Sequence, residues 1–257
     1  MSDIVGYENK GAVAVITLNR PDAMNAFTTE LSNNLQLALE RAAGDDAVRV
    51  VLVTGEGRCF SAGADLKSGF EGRPVFGKLH YEYRPVFSAI ATMSKPVIAA
   101  VPGSAAGIGM SMALHCDLMV MADNAFLLSP FTTISLVPDG GLNWLLVRQL
   151  GYRRAFQLSV ESERIAAERC VELGLANKAV PAEELQSVAL EWAQRLAKRA
   201  PRSLEATKKC MRHAVDNDWA STFNMEADWQ EALAGSEDNV EGVAAFFEKR
   251  EPNFTGK

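Results

Sequence analysis

Lys95-Pro96-Val97-Ile98-Ala99-Ala100-Val101-Pro102-Gly103-Ser104-Ala105-Ala106-Gly107-Ile108-Gly109 is the stretch on which the fold turns. The apolar run from Pro96 to Val101 reads as a buried strand, the Gly/Ala segment after it as a turn, and Met110–His115 as a helix. A strand that runs through such a turn into a helix leaves N–H groups without partners, with the positive end of the helix dipole behind them. A second stretch has the same character. Val48–Thr54 is a β-branched run that ends at Gly55-Glu56-Gly57, and Arg58-Cys59-Phe60-Ser61-Ala62-Gly63-Ala64-Asp65-Leu66 follows it. Its small residues let backbone approach a ligand, and Asp65 is placed to cap a helix begun at Leu66. Each stretch alone fits a packing device as well as a binding site. Two such sites facing each other make an oxyanion hole. Neither is a phosphate loop, since no GxxxxGK[ST] or GxGxxG spacing occurs.

Outward from these stretches, Ile4–Glu8 and Val13–Leu18 flank Asn9-Lys10-Gly11 and read as a hairpin. Thr28 reads as the N-cap of a helix with Leu31, Leu35, Ala38, Leu39 and Ala42 on one face and Gly44 as its stop. Leu118–Ala122 is another short apolar strand. After Gly140 the pattern turns helical, over Leu142–Leu150, Ala166–Leu173, Glu183–Arg199, Pro201–Asp216, Ala220–Leu233 and Val240–Lys249. Strands alternating with helices early in the chain predict a mixed α/β core. The last helices carry Trp219, Phe223, Trp229, Phe246 and Phe247, which pack either on a neighbouring subunit or back on their own core.

The bulk composition excludes several classes. A net charge of −6 opposes a general nucleic-acid surface, which needs clustered Lys and Arg. No run approaches the ~20 apolar residues that span a bilayer, and MSDIVGYENKG lacks the pattern of a signal peptide. Four scattered cysteines without a CxxC pair, and three histidines, argue against a metal site and suit a reducing cytoplasm.

The order and spacing of the motifs resemble the crotonase (enoyl-CoA hydratase/isomerase) superfamily over nearly the whole chain. Leu18-Asn19-Arg20-Pro21 with Asn25-Ala26 matches its N-terminal signature, and Phe60–Leu66 its first oxyanion motif. Lys95–Val101 with Gly107-Ile108-Gly109 and Cys116-Asp117 matches the second; Ala166–Gly174 and Phe246–Phe254 also resemble family positions. The resemblance implies an α/β fold with a ββα spiral core (residues 1–195) and a C-terminal helical oligomerisation region (196–257), assembled as a homotrimer or a dimer of trimers. It implies an acyl-CoA substrate, with coenzyme A as part of the substrate and no separate cofactor. The thioester oxygen would accept hydrogen bonds from the N–H groups of Ala64 and Ile108. Ile108 stands where many relatives have Gly, which a backbone donor tolerates, although its side chain narrows the pocket. Backbone near Ala23, Met24, Ala62, Asp65, Leu66 and Gly107 would line the coenzyme path. Lys249 or Arg250 would reach a coenzyme phosphate, unless they are ordinary solvated charges.

The chain departs from the hydratase pattern at the acids. Typical hydratases carry two glutamates; the matching positions here are Ser111 and Phe131. Two acids hold and activate a water, so losing both argues against conventional hydration. Leu136-Val137-Pro138-Asp139-Gly140-Gly141 supplies another acid, at a position resembling that of the family's isomerases that use an Asp, the ring 1,2-epoxyphenylacetyl-CoA isomerases among them. One carboxylate beside an oxyanion hole moves a proton from one carbon to another and shifts a double bond. Phe131, Ile134, Leu136 and Trp144 would keep water from Asp139 and raise its pKa. The structural alternative is that Asp139 N-caps the next helix. His80, Tyr81 and Tyr83 lie in the 67–90 segment, which shapes the acyl pocket in relatives; His115, Ser61 and Ser104 read as structural, and Glu161 and Glu163 as a solvated pair. The leading expectation is an enoyl-CoA isomerase. The competing readings are a hydratase for a branched or carboxylated acyl group, and a non-catalytic coenzyme A or RNA binder.

Overall fold

The computed structural model describes residues 4–69 and 74–257. The chain opens with β1 (Val5–Lys10), β2 (Val13–Leu18), α1 (Thr29–Gly44), β3 (Val50–Gly55) and β4 (Cys59–Ser61). After α2 (Val75–Lys78) and a π-helical turn at Leu79–Tyr83 come α3 (Arg84–Thr92), β5 (Val97–Val101), β6 (Ser104–Ala106), α4 (Ile108–His115), β7 (Leu118–Ala122) and β8 (Phe126–Leu128). The second half holds α5 (Leu142–Leu150), α6 (Tyr152–Glu161), β9 (Ile165–Ala166), α7 (Ala167–Glu172), β10 (Lys178–Val180) and α8 (Leu185–Ala197). Three helices close it: α9 (Pro201–Asp216), α10 (Trp219–Leu233) and α11 (Glu237–Glu248).

The strands form two sheets. One runs β1-β2-β3-β5-β7-β10, antiparallel at β1–β2 and parallel elsewhere. The other is short and runs β4-β6-β8-β9. Each of β3, β5 and β7 in the first sheet is followed directly by a strand of the second, so the chain steps between sheets as a spiral. Both β3 and β5 are buried at every position, which explains their unbroken apolar runs. The α1 helix covers the first sheet with Leu31, Leu35, Ala38, Leu39 and Ala42, and Leu31 N donates to the Thr28 hydroxyl at 3.1 Å.

Several expectations need correction. The strands of the second sheet have only two or three residues, too few to show a period, and went unread. So did α3 and α6; the buried face of α6 is made of small residues, Ala155 and Ser159. No helix begins at Leu66. The Asp65 carboxylate accepts from the N–H of Lys67 at 3.1 Å and of Ser68 at 3.4 Å, which closes a turn. Of the terminal aromatics, Trp219, Phe223, Phe246 and Phe247 do not fold back on the core but are exposed, whereas Trp229 is half-buried beneath Lys209 of α9.

A charged network docks α9 on the core. Lys208, with its side chain 6% exposed, reaches Asp117 at 2.8 Å and the carbonyls of Ile90 and Lys95 at 2.8 and 3.0 Å. Arg212 donates to Asp117 at 2.8 Å and to His115 O at 2.8 Å. Removing one partner of a buried pair leaves the others desolvated without compensation. Lys208→Met is therefore expected to lower stability by about 3 kcal/mol, read as a shifted midpoint in chemical unfolding.

Candidate active site

The site forms where the two motif stretches meet. Gly107 takes φ 54° and ψ −126°, a conformation open to glycine alone, and turns the chain from β6 into α4. Gly63 lies against it. A Cβ added at Gly107 would stand 3.8 Å from Gly63 Cα, and one added at Gly63 would stand 2.9 Å from Ala106 O. Two main chains can approach this closely only because neither carries a side chain there.

The residue after each glycine carries the amide of interest. Ala64 pairs with Phe27 as an isolated parallel bridge, in which Phe27 N donates to Gly63 O at 2.7 Å and Asp65 N to Phe27 O at 2.9 Å. The Gly63 carbonyl shares a trans peptide group with the Ala64 N–H, so the N–H points away from Phe27. Ile108 opens α4, where helix geometry supplies no acceptor. Neither amide has an acceptor among the described residues. Ala64 is exposed and Ile108 is buried.

Asp139 stands on the loop before α5. Ser111 Oγ lies 3.0 Å from its backbone carbonyl, and the next residue, Gly140, packs on α4. A Cβ on Gly140 would meet Ile108 Cδ1 at 2.6 Å and Phe87 Cε2 at 2.8 Å. So the Ile108 side chain fills the space beneath this loop. Asp139 does not cap α5: the N-cap is Gly141, without a side-chain bond. Its Oδ1 is buried without a hydrogen-bond partner. Burial pushes the carboxyl up to about 6, against a pull in the other direction from its own backbone N–H. The expected lining is only partly present. Phe131 is buried, its ring 3.8 Å from where a Gly107 Cβ would stand. Ile134, Leu136 and Trp144 are exposed, and Trp144 Nε1 instead donates to Asp216 at 3.2 Å. Phe87, Ile108 and Pro138 are the buried apolar residues around the Asp139 loop.

The residues expected along the coenzyme path fall into two groups. Ala62 N donates to Met24 O at 2.9 Å, and Ala26 N to Ala23 O at 3.0 Å, which brings Ala23, Met24 and Ala62 together. Asp65 joins them through Arg20, whose guanidinium reaches Asp65 Oδ2 at 3.1 Å and the carbonyl of Ala26. Burial alone would raise the Asp65 pKa, but the Arg20 and backbone hydrogen bonds outweigh it and hold the carboxyl below its usual range. Leu66 is exposed beside it. Buried Asn25 ties the platform down by accepting from Arg20 N at 2.8 Å and donating to the carbonyls of Glu56 and Cys59 at 3.0 and 2.7 Å. Lys249 lies apart: it closes α11 in a left-handed conformation, and no hydrogen bond among the described residues joins it to this platform. Arg250 is not a free charge, since Glu241 and Glu248 hold its guanidinium. Sequence reasoning passed over two contacts. Ser111 and His115, four residues apart on α4, both reach the Asp139 loop, the latter with Nε2 2.8 Å from Gly140 O. Their spacing directly after the Gly-rich turn was the available signal.

Comparison with known proteins agrees with this geometry. The family described as enoyl-CoA hydratase/isomerase matches residues 8–257. A probable enoyl-CoA hydratase of Rhodobacter capsulatus is 39% identical over 254 residues, covering 98% of each chain. A 1,2-epoxyphenylacetyl-CoA isomerase of Escherichia coli is 36% identical over 262 residues, covering 100% of each. The crystal structure of an enoyl-CoA hydratase from Bacillus anthracis superimposes with a TM-score of 0.94 at 31% identity, covering 99% of this chain and 100% of that one. With the spiral of two sheets, the paired glycine turns and a match along almost its whole length, the chain belongs to the enoyl-CoA hydratase/isomerase family, the crotonase superfamily.

Proposed function

We propose that this chain is an enoyl-CoA isomerase that carries a proton on Asp139 and holds the thioester oxygen on the N–H groups of Ala64 and Ile108. The observation that carries the reading is the half-buried Asp139 carboxyl, whose Oδ1 is buried without a partner on a loop packed against Ile108. On this reading the carboxylate removes a proton from C2 of a 3-enoyl-CoA. The electron pair moves onto the thioester oxygen and the conjugated double bond, and the two amides stabilise that dienolate. Asp139 then returns the proton to C4, which leaves the double bond between C2 and C3. Ser111 and Phe131 stand where the resemblance puts the hydratase glutamates, so neither of those positions carries an acid to activate water. Ala23, Met24, Ala62, Asp65, Leu66 and Gly107 would line the coenzyme path. Lys249 would meet a coenzyme phosphate only across an assembly, and the exposed aromatics of α10 and α11 suit a homotrimer or a dimer of trimers. The four free cysteines suit a cytoplasmic setting.

Hydratase names also occur among the relatives, one of them a 2,3-dehydroadipyl-CoA hydratase of Escherichia coli at 33% identity. Incubation with a 3-enoyl-CoA is expected to give a product of unchanged mass with its double bond conjugated to the thioester. A gain of one water on a 2-enoyl-CoA would instead establish hydration.

Asp139→Asn is expected to lower kcat by about 10²–10⁴-fold while coenzyme A binding, measured by calorimetry, stays intact. Unchanged turnover removes Asp139 from the mechanism.

A base must be ionised to act, so kcat/KM of the unsubstituted enzyme is expected to rise with pH through about 6. The raised pKa also has a stability consequence of defined sign. A carboxyl that holds its proton more tightly when folded stabilises the fold at low pH, and that contribution is lost as pH rises through about 6. Asp139→Asn is thus expected to be more stable than the parent at pH 7, by up to about 3 kcal/mol, with the difference vanishing below pH 4. Thermal melts of both proteins across this range check it.

A further inference from the structure

Two donors on α4 that take no part in the proposed proton transfer grip the loop carrying Asp139. Ser111 is fully buried, with Oγ 3.0 Å from Asp139 O and 3.3 Å from Gly107 O. One helical turn later, His115 places Nε2 2.8 Å from Gly140 O. A carbonyl oxygen only accepts, so the imidazole carries its proton on Nε2. Residues at i and i+4 share a helix face, and here they meet consecutive carbonyls of one loop.

Packing alone does not hold that loop. A cavity of about 320 Å³ flanks it, lined by Leu79, Tyr83, Phe87, His115, Gly140 and Gly141. Nor is His115 explained by packing. Its ring stacks on Phe87 with centroids 4.9 Å apart and planes at 10°, a contact that phenylalanine would also make. Its Nδ1 is buried with no hydrogen-bond partner, a desolvation cost that phenylalanine would not carry. What the imidazole adds is its hydrogen bond to Gly140. The same helix presents the Ile108 N–H at its first turn. One rigid element therefore carries both a proposed oxyanion donor and the fastenings of the proposed base.

We propose that Ser111 and His115 are positioning residues, which fasten the carbonyls of Asp139 and Gly140 to α4 and so set the Asp139 carboxylate at a fixed place relative to the Ile108 amide. This rests on the reading of Asp139 as the proton carrier. Where that reading places a single base, its aim decides the rate, since a misplacement of about 1 Å costs on the order of 10²-fold.

The test compares Ser111→Ala, His115→Phe, His115→Gln and Asp139→Asn with the parent on a 3-enoyl-CoA, with thermal melts of each. His115→Phe keeps the stacking and loses the donor. It is expected to lower kcat by about 10- to 100-fold with KM changed by less than about twofold, the pattern of a lost transition-state interaction. Ser111→Ala is expected to lower kcat by about tenfold in the same way. His115→Gln, whose amide can donate to the same carbonyl, is expected to recover most of the loss. Parental kcat in both Ser111→Ala and His115→Phe overturns the positioning role, and so does a loss matched by KM or left unrelieved by Gln. If His115→Phe does not fold, Ser111→Ala decides. Asp139→Asn separates the two claims: if it is inactive while the other variants are parental, only the fastening is wrong, and if it is active, the base assignment and the fastening fall together.

Discussion

The contact between the backbones at Gly63 and Gly107 is the constraint on which the rest of the site depends. Side chains normally keep main chains apart, and a Cβ at Gly63 would stand within 2.9 Å of the Ala106 carbonyl. With the side chains removed, the turn after β4 and the turn after β6 lie against each other. Parallel pairing of β4 with β6 supports that contact from one side, and the Phe27–Ala64 bridge from the other. The amides that follow, those of Ala64 and Ile108, are thereby brought out of both sheets without acceptors. A thioester oxygen is the kind of acceptor such an arrangement suits, because charge develops on it when the neighbouring carbon loses a proton.

The second element is a carboxyl held under tension. Water would keep an aspartate ionised well below neutrality, whereas desolvation on the loop before α5 moves Asp139 to about 6. The chain tolerates that cost at a loop which its neighbours hold by backbone carbonyls rather than by the carboxylate. The acid is left with an unsatisfied oxygen, a state that a structural aspartate would relieve by capping α5. On the proposed reading this is what a proton carrier needs: a pKa near the working pH and no competing partner. The family's hydratases and isomerases differ in whether a second acid and a water share the site. On the same reading a buried hydroxyl at Ser111 and a ring at Phe131 stand where the resemblance puts the hydratase acids.

The C-terminal helices are tied to this centre through the same helix. Arg212 on α9 donates to the carbonyl of His115, the last residue of α4, and shares Asp117 with Lys208. The end of the chain is strapped down as well. Arg49 donates to Phe254 O at 2.7 Å, and buried Asp238 accepts from the N–H of Thr255 and Gly256. These helices therefore report on the core although their aromatic faces are turned away from it.

Much of the fold was legible because long elements announce themselves by period. The hairpin, α1 with its Thr28 cap, β3, β5, β7, α5, α9 and α10 all lie within a residue or two of where apolar spacing and turn residues put them. The family was legible too, because its motifs are backbone devices that require small residues at fixed places. The second sheet was not, since strands of two or three residues carry no period and exist only by pairing with one another. The same limit applies to the site. Sequence alone supplied Ala64, Ile108 and Asp139 as candidates, and the resemblance put Ser111 and Phe131 at the places of the hydratase acids. Only the tertiary structure decided that Asp139 is half-buried with one oxygen unpartnered, that Ile134, Leu136 and Trp144 do not shield it, that Arg250 is already spoken for, and that Ser111 and His115 reach its loop. Burial, and the hydrogen bonds made between segments apart in the chain, depend on which segments come to lie side by side. A one-dimensional pattern records what each segment prefers, but not what it will meet.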